Sequence, residues 1–362
     1  MKILYLGALG GPTSTARRPG ALRRLGHELT LVDPRDALPS GLLVDWWCFH
    51  YAALGLEAVI NRYVLRQAGS GPYDIVFVDV GSLVGKTLVR KLKSIATKVI
   101  CFNQDNPFTS RDGGRWRLFL KAMREYDLIA VPRASTALAA RQNGARKVVR
   151  ICLHADEELV RSARLTPEAR AKYASEVAFV GTWMPERGAF MLRLIELGVP
   201  LRIFGPRWHK APEFPLIEKH VTLGPLIGAE YASAIAASRI SLVLLSKGNE
   251  DLHTSRSSEI PAIGRLLCGE RTSEHLEMYD EGDEAVFFDN AEECAEKCLA
   301  LLADPQELER IALAGHLRVQ RNQTFSEPQL KSILDAAMLP NEDAADISTS
   351  IRFEPTIAEA TI

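Results

Sequence analysis

The chain has 362 residues, of which 47% are hydrophobic and 25% charged, a composition typical of a globular protein with two domains. Its formal net charge of -1 excludes a general attraction to nucleic acid or to anionic membranes, so any basic patch must be local. No apolar run approaches the roughly 20 residues of a transmembrane segment, and MKILYLG is too short for a signal peptide.

The cysteines indicate a reducing compartment. None of the six belongs to a CxxC pair, and several lie in apolar, strand-like runs. We therefore expect reduced core thiols in a cytoplasmic protein, and no structural metal. The six are Cys48, Cys101, Cys152, Cys268, Cys294 and Cys298.

Short apolar runs alternate with helix-like stretches in the first half, which predicts a Rossmann-like domain with a parallel sheet over residues 1–155. In GALGGPTST, after the first strand, Gly10 and Gly11 allow a ligand to approach the backbone, and Ser14 can cap the next helix. The loop lacks the full GxGxxG pattern, so a tight turn with a cap is the alternative. The predicted strands are 3–6, 28–32, 75–79, 99–103, 128–131 and 148–151.

NQDNPF follows the fourth predicted strand. A carboxylate flanked by amides at a strand end can orient an acceptor hydroxyl and take its proton, which makes Asp105 the candidate base and Asn103 an acceptor-side residue. Asp79 and Asp33 are weaker candidates on the same argument. The alternative is an ordinary turn, because Asp and Asn before proline are turn formers.

Residues 156–175 are charged, lack a predicted strand and contain Pro167, which predicts a linker between domains. A second Rossmann-like domain then spans 176–322, followed by a C-terminal helix at 323–339 and a flexible tail at 340–362. Its strands are predicted at 177–180, 201–204, 220–223, 240–245, 265–268 and 285–288, and its helices at 186–197, 229–237, 291–303 and 305–321.

Two loops at the start of this domain contain candidate ligand-binding residues. In VGTWMPER, Gly181 lets a ligand approach the backbone and Thr182 can cap a helix or bind phosphate, while Arg187 opposes the helix dipole unless an anion is near. In FGPRWH, Gly205 belongs to a turn, and Trp208 offers a flat face to a base or sugar. A tryptophan packed at an interface is the alternative.

HTSRSSEIPAIG follows the apolar run ISLVLL, so it sets a cation, a carboxylate and a helix start directly after a strand. Ser257 or Ser258 can cap that helix, whose dipole together with Arg256 favours an anion, which outlines a phosphate site. Glu259, in the first turn, can bind ribose hydroxyls or complement the dipole. His253 opens the motif and is a candidate donor-binding residue, although it has no partner at metal-ligand spacing.

In these loops the chain resembles the CgeB-like, spore-maturation type glycosyltransferases. That family carries FVG…ER, GpxW and hTsR.fEipAxG segments, which stand here as FVGTWMPER, FGPRWH and HTSRSSEIPAIG. The likeness covers residues 177–319. It is looser in the first half, where it rests on KILYLG, ALRRLGHE, FNQDNPF and EYDLIAVPR.

The resemblance implies a GT-B fold, in which two Rossmann-like domains face each other across a cleft. It implies a nucleotide sugar held mainly by the second domain and an acceptor approached from the first. Carried over to this chain, it gives Arg187 and Arg256 to the donor diphosphate, Glu259 to its ribose, and Gly181 and Thr182 to the adjoining backbone.

Two positions depart from the family pattern. Ser258 replaces an aromatic residue, which alters packing beneath the phosphate site, and Gly264 is single where the family repeats glycines, which leaves sugar choice open. We expect metal-independent hexosyl transfer from a nucleoside-diphosphate sugar, preferably UDP-linked, to a glycan, protein or small-molecule acceptor, with no tightly bound cofactor. The alternatives are a non-catalytic nucleotide-binding or assembly protein of GT-B shape, and a sugar-nucleotide epimerase.

Overall fold

The computed structural model describes residues 1–11 and 13–340, so nearly all of the tail predicted at 340–362 lies outside the described residues. The described chain forms two compact units, each an α/β structure with its own six-stranded parallel sheet. The first unit comprises Met1–Cys152, Gly248–Glu250 and the described chain from Ser326 onward. The second comprises Leu153–Lys247 and Asp251–Phe325.

The strands of the first unit are β1 (Lys2–Leu6), β2 (Glu28–Val32), β3 (Tyr73–Asp79), β4 (Ala96–Phe102), β5 (Leu128–Val131) and β6 (Val148–Arg150). All six were predicted from their apolar runs, which are nearly continuous in buried strands such as β1 and β3, whereas the edge strand β2 is only partly buried. Their order is β2-β1-β3-β4-β5-β6, and all neighbours are parallel. This is the flavodoxin-like order with one strand added, and it reverses between β1 and β3.

The helices between these strands are α1 (Ser14–Arg24), α2 (Leu42–Tyr51), α3 (Glu57–Ala68), α4 (Lys86–Leu92), α5 (Arg117–Ala122) and α6 (Ala134–Gln142). On one face of the sheet, buried side chains of strands and helices form an apolar core, in which Val76 and Val78 of β3 pack with Ile60 of α3 and Leu88 of α4. This core fixes the strand ends from which the candidate loops leave.

The strands of the second unit are β7 (Ser175–Val180), β8 (Leu201–Gly205), β9 (Val221–Leu223), β10 (Ser238–Val243), β11 (Leu266–Glu270) and β12 (Val286–Phe288). Their order is β12-β11-β10-β7-β8-β9, all parallel, which is the strand order of the Rossmann fold. The order reverses between β7 and β10. The prediction extended β10 too far, since Leu244 and Leu245 belong to the following loop.

The helices of the second unit are α7 (Glu157–Arg161), α8 (Pro167–Tyr173), α9 (Arg187–Glu196), α10 (Phe214–Ile217), α11 (Ala229–Ala236), α12 (Ser255–Ala262), α13 (Ser273–Met278), α14 (Ala291–Ala303) and α15 (Pro305–Arg321). The segment predicted as a linker therefore contains α7 and α8. Asp156 caps α7 by accepting from Leu159 N at 2.9 Å, and Thr166 caps α8 by accepting from Ala169 N at 3.1 Å.

The described chain ends with α16 (Ser326–Met338), which belongs to the first unit. Arg24 Nε of α1 lies 2.5 Å from Glu327 Oε1, and Lys147 Nζ donates to the carbonyl of Leu339 at 3.1 Å. The helix was predicted, but its return to the first unit was not. Of the helices that the structure describes, none has the length and apolar character needed to cross a membrane.

Candidate functional site

A cavity of about 250 Å³ opens in the second unit where its strand order reverses, which is where open α/β sheets bind ligands. The loops after β7, β8 and β9, the first turns of α9 and α11, and α12 form its walls. Among the described residues that line it, no side chain is a carboxylate. The lining is Val180, Gly181, Thr182, Met184, Arg187, Phe204, Gly205, Pro206, Pro225, Leu226, Tyr231 and Arg256.

Two glycines let the loops after β7 and β8 pack closely. A Cβ added to Gly205 would stand 2.1 Å from the carbonyl oxygen of Gly181, and one added to Gly181 would stand 2.8 Å from the ring of Phe179. Trp208 Nε1 donates to the same Gly181 oxygen at 2.9 Å. The ring of Trp208 is fully buried, so Trp208 supports the loop. The prediction that this ring stacks on a base or sugar is therefore corrected.

Arg187 begins α9 and is buried beside the cavity. Its Nη1 donates to the carbonyl of Thr182 at 2.7 Å and its Nη2 to the carbonyl of Leu244 at 2.8 Å. The arginine therefore joins the loops that follow β7 and β10. Thr182 does not cap α9, whose N-cap is Glu186 without a side-chain hydrogen bond.

Arg256 brings a second cation to this cavity. Among the described residues, neither Arg187 nor Arg256 has a carboxylate within ion-pairing distance, and the Nε of each is buried with no hydrogen-bond partner. Burial and then the charge of Arg256 lower the pKa of Arg187 to about 10. The two guanidinium groups therefore repel each other, and an anion bound between them would stabilise this arrangement.

Thr254, rather than Ser257 or Ser258, is the N-cap of α12, because its Oγ1 accepts from Arg256 N at 3.2 Å. Ser257 Oγ completes the capping box by accepting from Thr254 N at 3.0 Å, while Ser258 Oγ donates to the carbonyl of Leu153. These hydrogen bonds satisfy some of the backbone N–H groups at the start of α12. The guanidinium groups and the helix dipole are then the main attraction for an anion.

Glu259 lies beyond the first turn of α12, which contains no acidic residue. It is buried, and its Oε2 accepts from the hydroxyl of Tyr231 at 2.6 Å. Tyr231, which the sequence reasoning missed, lines the cavity, so Glu259 reaches the cavity through this hydroxyl. The signal for Tyr231 was a tyrosine in the first turn of a helix, α11, that follows the loop at the carboxyl end of β9.

His253 is buried, and both of its ring nitrogens have partners within the second unit. Leu153 N donates to Nε2 at 2.9 Å, and Nδ1 lies 2.5 Å from Glu274 Oε2. This geometry requires the Nδ1–H tautomer. The prediction that His253 contacts the donor is corrected, because the residue instead fixes the turn that leads into α12.

His275 supports the same helix end. Its Nε2 lies 2.8 Å from Ser257 Oγ and its Nδ1 lies 2.7 Å from the carbonyl of Glu270, while its ring stacks on Phe287. Burial lowers the pKa of His275 to about 4, so the ring is neutral near pH 7 and accepts from the serine hydroxyl.

The first unit has a cavity of about 300 Å³ at its own reversal point, between β1 and β3. Asp79 lines it and forms a buried ion pair with Arg18, whose Nη1 lies 2.7 Å from Oδ1, while the hydroxyl of Tyr5 donates to Oδ2 at 2.5 Å. Burial and the Asp79 carboxylate raise the pKa of Tyr5 well above its usual value, so its phenol remains a donor. The carboxylate of Asp79 is therefore fixed by Arg18 and Tyr5 and has a structural role.

Asp105 lines the same cavity, together with Asp33. Its Oδ2 lies 3.3 Å from Arg115 Nη1 and its Oδ1 lies 3.7 Å from Arg111 Nη2. The side chain of Asp105 remains 20% exposed, which leaves the carboxylate reachable by a ligand. Asn103 is buried and accepts from Asp105 N at 3.0 Å, so it positions the loop.

The glycine-rich first loop differs from the prediction. Gly10 and Gly11 are exposed and do not line the cavity, whereas Gly7 does, and a Cβ on Gly7 would stand 3.0 Å from Asp79 Cβ. Gly7, rather than Gly10 or Gly11, is therefore the glycine of this loop that lines the cavity. Ser14 is the first residue of α1 but not its cap, because Thr13 Oγ1 accepts the first-turn hydrogen bond at 3.2 Å.

Three cysteines could hold a metal ion in the second unit. Cys268 Sγ on β11 lies 4.0 Å from Cys294 Sγ and 3.9 Å from Cys298 Sγ on α14, and all three are fully buried. Hydrogen bonds to the sulfur atoms of Cys294 and Cys298, and then burial, raise the pKa of Cys268 well above its usual value. The three side chains belong to the apolar core of the second unit, between β11 and α14.

Comparison with known proteins gives the same architecture. Residues 187–332 match the family model described as "Glycosyl transferase-like". The structure is similar to HepE of Anabaena in complex with UDP-glucose, with a TM-score of 0.66 and 15% identity over 93% of this chain and 100% of that one. The chain has the GT-B fold.

Two further structures share this fold. Sucrose-phosphate synthase from Thermosynechococcus elongatus matches with a TM-score of 0.65 and 12% identity, over 92% of this chain and 98% of that one. A putative UDP-N-acetylglucosamine 2-epimerase from Listeria monocytogenes matches with a TM-score of 0.58 and 14% identity, over 92% and 95%. No curated protein matches the chain in sequence.

Proposed function

We propose that this protein is a glycosyltransferase that moves a sugar from a nucleoside-diphosphate sugar to an acceptor hydroxyl. The observation that carries the proposal is the pair Arg187 and Arg256, which share a cavity without a carboxylate at the reversal point of a Rossmann-ordered sheet. Two neighbouring cations in a protected site destabilise the ligand-free protein. A diphosphate would remove that repulsion and gain charged hydrogen bonds.

Three similarities favour a sugar nucleotide as the ligand. The second unit contains most of the segment that matches the glycosyl transferase-like model. HepE, which has the same fold, was solved with UDP and with UDP-glucose. The motifs of the CgeB-like glycosyltransferases lie on the cavity walls in this chain. We infer a UDP-linked hexose as the preferred donor.

We assign a different role in donor binding to each of three residues around the cavity. Arg256 has no hydrogen bond on its guanidinium group among the described residues, so we assign it direct contact with the diphosphate. Arg187 contributes charge and fixes the backbone of Gly181 and Thr182 through the Thr182 carbonyl. Glu259, bonded to Tyr231, is assigned to the ribose hydroxyls.

The proposed chemistry follows from these charges. The bond between the anomeric carbon and the diphosphate oxygen breaks while the acceptor oxygen bonds to that carbon, and Asp105 takes the acceptor proton. Negative charge accumulates on the leaving diphosphate. The two arginines and the dipoles of α9 and α12 stabilise it in place of a divalent cation.

We expect turnover to persist in excess EDTA, because the arginines supply the positive charge at the leaving group. The assay incubates the protein with UDP-hexoses and candidate acceptors, with and without chelator, and measures release of UDP and formation of a glycoside. Unchanged rates support the mechanism. Activity that disappears with EDTA and returns with magnesium or manganese would refute it.

An epimerase is the second candidate, because the matched Listeria structure carries that description on the same fold. The same assay separates the two. An epimerase converts the UDP-sugar to its isomer in the absence of an acceptor and releases no glycoside. A nucleotide-binding or assembly protein shows ligand binding with neither product.

A further inference from the structure

Helix α2 of the first unit presents an unusual outer surface. Leu42 and Leu43 are 88% and 83% exposed, and Trp46 and Trp47 are each about half exposed. Together with Phe49 and Tyr51, these residues are defined here as the α2 face. Monomeric proteins seldom expose so many large apolar side chains on one short segment, so the α2 face calls for a partner.

The rest of α2 holds this surface in a fixed position. Cys48 is buried in the core of the first unit and Val44 packs against it, while Arg35 Nε donates to Asp45 Oδ1 at 2.9 Å. The helix is followed by Ala52 and Ala53, which are fully buried and have φ angles of 48° and 50°. Alanine in this left-handed region is strained, so the fold tolerates strain to fix the end of α2.

A basic groove adjoins the α2 face. It has a volume of about 670 Å³, and Lys86, Lys121 and Arg124 are the charged residues among its lining, which includes no carboxylate among the described residues. The nearby Glu125 pairs with Lys86 at 3.5 Å and thus offsets one of these charges. Positive charge still predominates, although the whole chain has a net charge of only -1.

The turn at Gly113 and Gly114 makes the groove and the α2 face continuous. Gly113 lines the groove, whereas a Cβ on Gly114 would stand 2.7 Å from the carbonyl oxygen of His50 in α2. Arg115, next in the chain, lies over the ring of Phe49 at 4.8 Å. One surface of the first unit therefore combines exposed leucines, partly exposed aromatic residues and a cationic groove.

We propose that the first unit binds the surface of a membrane that contains anionic lipids, with the α2 face in the interfacial layer and the groove on the headgroups. Tryptophan and tyrosine prefer the headgroup level of a bilayer, leucine enters the acyl region, and lysine and arginine bind anionic headgroups. The positive charge of the groove argues against a second copy of this chain as the partner of the α2 face. A symmetric contact places the same surface on both partners and brings these cations toward their own copies.

The test measures sedimentation with vesicles of phosphatidylcholine and phosphatidylglycerol at about 7:3, and with phosphatidylcholine alone. Tryptophan emission adds a readout dominated by the α2 face, because Trp46 and Trp47 are half exposed, whereas Trp116 and Trp208 are buried and Trp183 packs partly buried against the core of the second unit. We expect binding to the mixed vesicles, a blue shift on binding, and weaker binding at high salt or without the anionic lipid. No sedimentation with the mixed vesicles would overturn the proposal.

The variant L42S/L43S keeps both reporter tryptophans and should bind mixed vesicles about tenfold more weakly or worse. K86Q/K121Q should weaken that binding about 25-fold and reduce its salt dependence. L313S/L317S on α15, where both leucines are also exposed, is the matched control and should bind normally. Equal losses in the control, or concentration-dependent dimerisation through α2 without vesicle binding, would overturn the proposal. The assay needs no turnover, so its outcome is independent of the proposed enzyme activity.

Discussion

Asp105→Asn is expected to lower turnover by about 100-fold or more while donor affinity stays nearly unchanged. The substitution keeps the size of the side chain and removes from the cavity of the first unit the carboxylate that we propose as the proton acceptor. Rates under saturating donor give the effect on chemistry, and binding of UDP gives the effect on the donor site. Near-normal turnover would exclude Asp105 as the base and return it to the role of a turn residue.

Asp112→Asn is the matched control for Asp105. Asp112 pairs with the same two arginines, with Arg111 Nε at 2.8 Å and Arg115 Nη1 at 3.1 Å from its oxygens, but it does not line the cavity. Burial favours its neutral form, yet the two arginines hold the pKa of Asp112 below its usual value. If loss of an ion pair alone explained the effect, both variants would lose turnover equally.

Arg256→Ala should weaken nucleoside diphosphate binding by about 1.5 to 3 kcal/mol and binding of the nucleoside by much less. The variant should also unfold at the same or a higher temperature than the wild type when no ligand is present, because the repulsion with Arg187 disappears. Thermal unfolding with and without UDP measures both effects. Equal loss for the diphosphate and the nucleoside would contradict the assignment.

Arg265→Ala provides the control for this variant. Arg265 belongs to the second unit, its Nε is buried without a partner among the described residues, and burial lowers its pKa, but it does not line the donor cavity. Its loss should leave the UDP-induced stabilisation intact. A similar loss in both variants would indicate a general effect of removing a partly buried arginine.

The strands could be predicted from the sequence, but their arrangement could not. Parallel strands covered on both faces need continuous apolar runs, and such runs are visible without any structure. The order β2-β1-β3 in the first unit and the return of α16 to that unit depend on contacts between distant residues, such as Arg24 with Glu327. The prediction of two Rossmann-like halves therefore holds for architecture, while the first sheet follows the flavodoxin-like order.

Within the sites, the sequence predicted which loops meet at a cavity better than which of their side chains line it. Arg187 and Arg256 line one cavity, and the resemblance to the CgeB-like family had implied that they share one ligand. His253 and Trp208 have side chains equally suited to bind a ligand. Both are buried, however, and form hydrogen bonds with Leu153 N and with the Gly181 carbonyl. A sequence shows that a group can bind a ligand, but not whether the protein backbone already occupies it.

Helix caps show the same limit at closer range. Thr13 and Ser14, like Thr254 and Ser257, are hydroxyl residues with similar capping ability, so the sequence alone does not select between them. The backbone decides, because only Thr13 and Thr254 have the extended φ and ψ angles of an N-cap. The observed N-caps lie one and three residues before the predicted ones, Ser14 and Ser257. The first helical turns and their free N–H groups therefore begin one and three residues earlier.

The donor site can be tested most directly by calorimetric titration of the wild-type protein with UDP and with uridine, both in the presence of EDTA. If Arg187 and Arg256 bind the diphosphate, the protein should bind UDP at least about tenfold more tightly than uridine. This binding should not require a metal. Equal affinities for UDP and uridine, or UDP binding that appears only when magnesium is added, would contradict the account.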